Sequence, residues 1–389
     1  MTGFALTAPK RTIFGRDCRA TAAAEIAGIG PRVLLVRGRS VAWVDELAAD
    51  LIRSGCCLQV VYSAGEPDLE GVRNAVAVAR DHRAECIVSV GGGATLDLGK
   101  AVAGLCVSEG DVAEYLELGT ASPRQLNDPL PFIAIPTTAG TGAEATRNAV
   151  IGVPERRAKI SLRDPRLVPD LAIVDPALTD RSPKSLTLAS ALDAITQLIE
   201  SYLCNRANPV TDALCEANIR PAMAALHRLM TCEDAKARDA LARASFLSGI
   251  ALANSGLGII HGLASVIGGR GAAHGAICGR LLASGLTINS EALKRRSESV
   301  ARFDEVDGWL ANGLGVPMGS GVLSLHRFVD SNGLPSLYDL GVLETEIETI
   351  GKLSANASST KANPVVLDQS EIREILQRAW PAVFRSCQQ

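Results

Sequence analysis

The first 180 residues alternate short β-branched runs with stretches whose apolar positions recur at helical spacing. Five runs, at 32–37 (RVLLVR), 58–62 (LQVVY), 86–90 (CIVSV), 132–135 (FIAI) and 171–174 (LAIV), are apolar almost throughout. Continuous runs of this length predict strands buried on both faces. Between them, 44–54 and 69–80 carry the 3.6-residue periodicity of amphipathic helices. Strand and helix in alternation predict a doubly wound, parallel α/β sheet.

Beyond residue 180 the texture changes. Segments 188–204, 211–229, 234–254 and 258–268 are rich in alanine and leucine and contain no convincing strand. The expectation is a doubly wound, Rossmann-like α/β domain over 1–180 and an all-α domain over 181–389. Ser182 before Pro183 predicts an N-cap followed by a first-turn proline where the helical half begins.

Composition narrows the function. A chain of 389 residues, 47% hydrophobic and 21% charged, can bury two cores. The net charge is −3 and no basic block stands out, which argues against a nucleic-acid partner or an electrostatic membrane anchor. No stretch reaches the roughly 18 apolar residues of a membrane helix, and the N-terminus lacks a signal-like pattern, so the expected location is cytoplasmic. Ten scattered cysteines without a CxxC suggest small buried hydrophobes.

Two loops carry candidate chemistry. The run 86–90 leads into Gly91, Gly92 and Gly93, then Thr95 and Asp97, at the start of a helix. Glycines there let the backbone approach a pyrophosphate, and the free amides of a helix start attract it; a bare tight turn is the alternative. The run 132–135 leads into a second glycine- and hydroxyl-rich loop with Thr137, Thr138 and Thr141.

GGGATLDLGKA followed about forty residues later by IPTTAGTGAE resembles the paired cofactor segments of the iron-containing (group III) alcohol dehydrogenases. The resemblance continues through Lys159 and DPRLVPDLAIVDP to ASSTKANPVVL. It implies a dehydroquinate synthase-like fold, a nicotinamide cofactor and a homodimer, to which the strand-like 4–14 stretch is a candidate contributor. Ala143 stands where the family usually has serine, removing one hydrogen bond to the cofactor. After the first strand the family often places an aspartate that repels a 2′-phosphate. Here Gly38 stands near that position, with Arg37, Arg39 and Ser40 around it, so the expectation leans to NADPH; the alternative is that both arginines merely face solvent.

The resemblance also implies a metal site for Fe²⁺ or Zn²⁺, built from an aspartate, a histidine one turn later and two further histidines. This chain offers Asp193, Gln197, His261 and His274. Glutamine is a weaker, neutral oxygen donor for such ions, so three strong ligands remain. Ser265 stands where the family commonly has another histidine; His82, His227 and His326 match nothing. The expected activity is reversible hydride transfer between a nicotinamide and a small alcohol, aldehyde or ketone. Gln197, His261 and His274 are the catalytic candidates, acting with a metal or, without one, as electrostatic groups. Alternatives are a metal-independent NADPH reductase, a polyol dehydrogenase of the same fold and a nucleotide-binding pseudoenzyme.

Overall fold

The structure, a computed structural model, describes residues 3–118, 122–156, 158–269 and 271–380. One compact unit spans Ala5–Asp180, and a second comprises the residues from Arg181 onward together with the described N-terminal residues through Phe4.

In the first unit, strands β1 (Arg11–Phe14), β2 (Arg32–Arg37), β3 (Cys57–Tyr62), β4 (Cys86–Gly91), β5 (Phe132–Pro136) and β8 (Leu171–Val174) form one sheet, in the order β1-β8-β5-β4-β2-β3. Every pairing in it is parallel, with Leu35 opposite Val88 and Val88 opposite Ile133. Successive side chains go to opposite faces. Val33, Leu35, Val88, Ile133 and Ile135 pack with Ile26 of α1 (Ala22–Ala27) and Val44, Leu47 and Leu51 of α2 (Trp43–Arg53). Leu34, Val36, Ile87 and Phe132 pack on the other side, with Val72 and Val76 of α3 (Leu69–His82) and Leu96 and Val102 of α4 (Gly93–Leu105). Burial on both faces is why four of these runs are apolar without alternation; the fifth, β3, lies at the sheet edge and is only partly buried, contrary to expectation.

Two further features depart from the sequence expectations. An antiparallel hairpin, β6 (Asn148–Val153) and β7 (Ala158–Arg163), was not foreseen. Only alternate residues of β6 are fully buried, among them Ala149, Ile151 and Val153, and the small Ala149 and Gly152 hide the β signal. Residues 11–14 form the strand-like element expected there, an edge strand beside β8, and Phe4 and Leu6 are exposed. Ser182 is not a cap: the first helix of the second unit begins at Lys184, with Pro183 itself in the cap position at ψ 141° and no side-chain cap bond. Pro183 is extended rather than helical, so the helix starts one residue later than expected.

The second unit is helical: α5 (Lys184–Leu203), α6 (Pro209–Thr231), α7 (Ala235–Asn254), α8 (Ile259–Gly268), α9 (His274–Arg295), α10 (Ala301–Leu314), α11 (Gly321–Ser331), α12 (Ile347–Ala355) and α13 (Gln369–Ala379). Among the described residues no single helix is long and apolar enough to cross a membrane.

Candidate functional site

Parallel topology puts the turns after β2, β4 and β5 on one edge, and the chain reverses its direction of sheet growth between β2 and β4. Such a switch point, at the carboxyl ends of the strands, is where open α/β sheets bind dinucleotides. The first loop leaves β4 at Gly91, and α4 starts at Gly93 with Gly92 as an N-cap that has no side chain to occupy the free amides. A Cβ on Gly91 would come within 2.5 Å of Thr95 Oγ1, and one on Gly93 within 2.7 Å of Thr141. Gly92 lies against Thr138 in the same way, at 3.3 Å, and the Thr137 amide donates to Gly91 O at 2.9 Å. The two glycine-rich loops therefore meet, and their glycines are required by close packing.

Asp97 and Lys159 are engaged elsewhere. Asp97 accepts from the Val150 amide at 3.1 Å and lies 3.7 Å from Lys100, bracing the hairpin. Lys159, on β7, donates to Glu66 at 2.6 Å. Lys100 is fully buried and donates to Ala143 O, Thr146 Oγ1 and Asn148 O at 2.7, 2.9 and 2.8 Å, tying the second loop to the helix of the first. Burial lowers its pKa, and burial pushes Glu144 up to about 7 and Asp97 up to about 6.

At the end of β2 the expectation of free positive charge is half met. Arg37 is buried and pairs with Asp45, donating also to Gly38 O at 3.1 Å. Arg39 and Ser40 are exposed beside Gly38, with the Arg39 guanidinium 4.4 Å from the centre of the Tyr62 ring.

The second constellation lies wholly in the helical unit. Asp193 (α5), His261 (α8), His274 and Cys278 (both α9) offer donor atoms that all lie within 4.8 Å of one another. His261 Nε2 is 3.4 Å and His274 Nε2 3.9 Å from Asp193 Oδ1, and Cys278 Sγ is 3.6 Å from His274 Nε2. The three predicted ligands with strong donors thus converge, and Cys278 joins them.

Close helix packing creates the approach. A Cβ on Gly275 would lie 2.4 Å from Ala189 O, and one on Gly279 2.6 Å from Leu192 Cδ1, so glycines flanking His274 and Cys278 let α9 settle against α5 at Asp193. At His261 the following Gly262 serves the same end: its Cβ would sit 1.9 Å from Thr360 Oγ1. Glu200, two turns after Asp193, holds the N-terminus of α8. Its carboxylate accepts from the amides of Ile260 (2.7 Å) and His261 (3.2 Å) and from His261 Nδ1 (2.7 Å), while Asn363 Oδ1 accepts from the Ile259 amide at 3.0 Å.

A proton on Nδ1 leaves the His261 Nε2 lone pair facing the pocket. Both this atom and Asp193 Oδ1 are buried and without a hydrogen-bond partner. Two acceptors at 3.4 Å need a proton or a metal ion between them. The charge pattern agrees: burial opposes a charge on His261, but Cys278, Asp193 and Glu200 outweigh it and raise its pKa well above the ordinary value. Burial opposes the Asp193 and Cys278 anions too, yet the two imidazoles bring both pKa values down. The donor set therefore fits a divalent ion.

Gln197 is buried in the same wall. An ionised carboxylate only accepts, so the amide nitrogen is the end that hydrogen-bonds Asp193, and Gln197 Oε1 accepts from Ser248 Oγ at 2.6 Å. Ser265 is exposed and donates to Gly262 O at 2.8 Å. His82, His227 and His326 lie apart from the cluster, against Cys57 O, Phe328 and Asp330.

Sequence reading missed Cys278 and Glu200. For Cys278 a signal existed: it follows His274 by four residues, one turn along the same helix face.

Comparison with known proteins gives the same picture. Residues 9–176 match the family described as iron-containing alcohol dehydrogenase, and 187–380 its C-terminal counterpart. The chain is 34% identical over 344 residues to a long-chain-alcohol dehydrogenase 1 of Geobacillus thermodenitrificans, covering 87% of this chain and 86% of that one. It is 29% identical over 389 residues to an NAD-dependent methanol dehydrogenase of Bacillus methanolicus, covering 97% and 100%. A crystal structure of a 1,3-propanediol oxidoreductase superposes with a TM-score of 0.86 at 29% identity, covering 97% and 100%. The dehydroquinate synthase-like fold, the meeting loops and the full-length matches together make this chain a member of the iron-containing alcohol dehydrogenase family, a group of alcohol and aldehyde oxidoreductases.

Proposed function

We propose that this protein catalyses reversible hydride transfer between NAD(P)H and a small alcohol, aldehyde or ketone, with a divalent metal held by Asp193, His261 and His274. The observation that carries the reading is the buried, unpartnered pair of Asp193 Oδ1 and His261 Nε2. When bound, such an ion supplies Lewis-acid stabilisation of charge on the substrate oxygen. Glu200 fixes the His261 ring and its tautomer. Gln197 donates to Asp193 and steadies the carboxylate rather than acting as a strong ligand. The His274 side chain, about a third exposed where Asp193 and His261 are closed off, marks the side from which substrate enters.

Gly91, Gly92, Gly93, Thr95, Thr137, Thr138 and Thr141 form the diphosphate cradle in this reading; Asp97 and Lys159 act through the hairpin that supports it. Gly38 presents no carboxylate to a 2′-phosphate and Arg39 is exposed beside it, so NADPH is favoured over NADH. The named substrates of the relatives span methanol, long-chain alcohols and 1,3-propanediol, so the substrate class proposed is a simple alcohol or its carbonyl counterpart.

The test is oxidation of NADPH and NADH with a panel of aldehydes, before and after chelation. The expected result is turnover that falls on chelation and returns with added metal, with higher kcat/KM for NADPH that drops selectively in Arg39→Ala. Dinucleotide binding with no turnover on any substrate overturns the reading.

A further inference from the structure

We propose that Cys278 is a thiolate ligand that completes the metal site in the position Gln197 leaves open, and that the resulting oxygen, two-nitrogen, sulfur donor set selects Zn²⁺ over Fe²⁺. This inference rests on the metal reading above. Both α5 and α9 offer the pocket two residues one turn apart, Asp193 with Gln197 and His274 with Cys278. On α5 the second residue is a neutral amide whose oxygen is occupied by Ser248 and whose nitrogen is turned to Asp193. On α9 it is a buried thiol with its sulfur 3.6 Å from His274 Nε2.

The spacing suits one small ion. Tetrahedral bonds of about 2.0 to 2.3 Å place neighbouring ligand atoms roughly 3.3 to 3.8 Å apart. The contacts measured here are 3.4 Å from His261 Nε2 to Asp193 Oδ1, 3.6 Å from Cys278 Sγ to His274 Nε2 and 3.9 Å from His274 Nε2 to Asp193 Oδ1. Three of the six edges of a tetrahedral cage are thus at or near the expected length, and the others stay within 4.8 Å. The unpartnered Asp193 Oδ1 and His261 Nε2 point into it. A soft thiolate added to imidazoles favours zinc, which also stands above ferrous iron in intrinsic affinity for such donors.

Chelated full-length protein titrated with Co²⁺ reports the ligand directly, because cobalt bound to a thiolate gains a near-ultraviolet charge-transfer band. The wild type is expected to bind one Co²⁺ with this band, and Gln197→Ala to keep it. Cys278→Ser is expected to lose the band and to bind more than about 100-fold more weakly, beyond the roughly 10- to 100-fold cost of losing a group behind a ligand. Cys278→Ala combined with Gln197→His is expected to regain affinity without the band. In equimolar competition the wild type is expected to retain Zn²⁺ rather than Fe²⁺.

Stoichiometric Co²⁺ without the thiolate band in the wild type, a reading independent of whether any variant folds, overturns the proposal, as does retention of Fe²⁺ over Zn²⁺. Failure to bind Co²⁺ at all overturns both this proposal and the metal reading. A thiolate band in a protein that transfers no hydride upholds the ligand assignment and sinks only the oxidoreductase reading.

Discussion

Glu200 shows how much of the site depends on a side chain that would touch neither metal nor substrate. Its carboxylate accepts three N–H groups and so fixes both the start of α8 and the His261 ring. Replacing it by glutamine keeps the shape but sets an NH₂ against those donors, leaving buried groups unpaired at about 1–3 kcal/mol. Glu200→Gln is therefore expected to weaken Co²⁺ binding roughly 10- to 100-fold and to lower the melting temperature. Unchanged affinity in a Co²⁺ titration would remove Glu200 from this role. The sequence made Asp193, His261 and His274 legible because a family pattern with glycine-flanked histidines marks them. It hid Glu200, since a glutamate in a helix reads as a solvated residue unless the α8 terminus, some sixty positions later in the chain, is known to fold onto it. Cys278 was overlooked for another reason: scattered cysteines usually fill cores, and its one signal, the four-residue spacing from His274, gains meaning only with the 3.6 Å contact between them.

At the scale of elements, the approach of α9 to α5 is set by backbone contact. Alanine is normally better than glycine inside a helix by about 1 kcal/mol, so Gly275→Ala would stabilise an isolated α9. In the folded protein the added methyl would meet the Ala189 carbonyl at 2.4 Å, a backbone atom that cannot rotate away. Overpacking of this kind costs about 1–3 kcal/mol, so the clash wins. Gly275→Ala is expected to lower stability by up to about 2 kcal/mol in chemical denaturation and to weaken metal binding by moving His274 off Asp193. A stabilised variant with intact metal affinity would show that α9 is not held this way. The buried strands were legible because burial on both faces leaves an apolar run that nothing else explains. The hairpin was not, because it lies outside the sheet with one face covered by α4, and its small residues weaken the alternation. Helix starts were legible to within a few residues; α5 begins at Lys184 because Pro183 is extended and stands as the cap itself.

For the whole molecule, the proposed cofactor cradle and the proposed metal cage fall in two separate compact units. The glycine loops belong entirely to the unit Ala5–Asp180, and the four donor groups entirely to the unit from Arg181 onward. That division was visible in the change of texture near residue 180, since parallel strands and alanine-rich helices demand different patterns. The finer chemistry was not, because charge at the end of β2 is decided by Asp45 neutralising Arg37, a contact that the sequence does not announce. Each ligand should stabilise the backbone that holds it. A ligand at about 100 times its Kd adds roughly 2.7 kcal/mol to the state that binds it, which slows exchange of amides released by unfolding of that state about 100-fold. In hydrogen exchange on the full chain, Zn²⁺ is expected to protect α8 and the first turns of α9, where the Ile260 and His261 amides sit on Glu200. NADPH is expected to protect instead the amides of 91–95 and 137–142, where the two loops meet. If NADPH protects only the helices, or if Zn²⁺ protects only the glycine loops, then the assignment of cradle and cage to their respective units is wrong, and with it the division of labour argued from the residues upward.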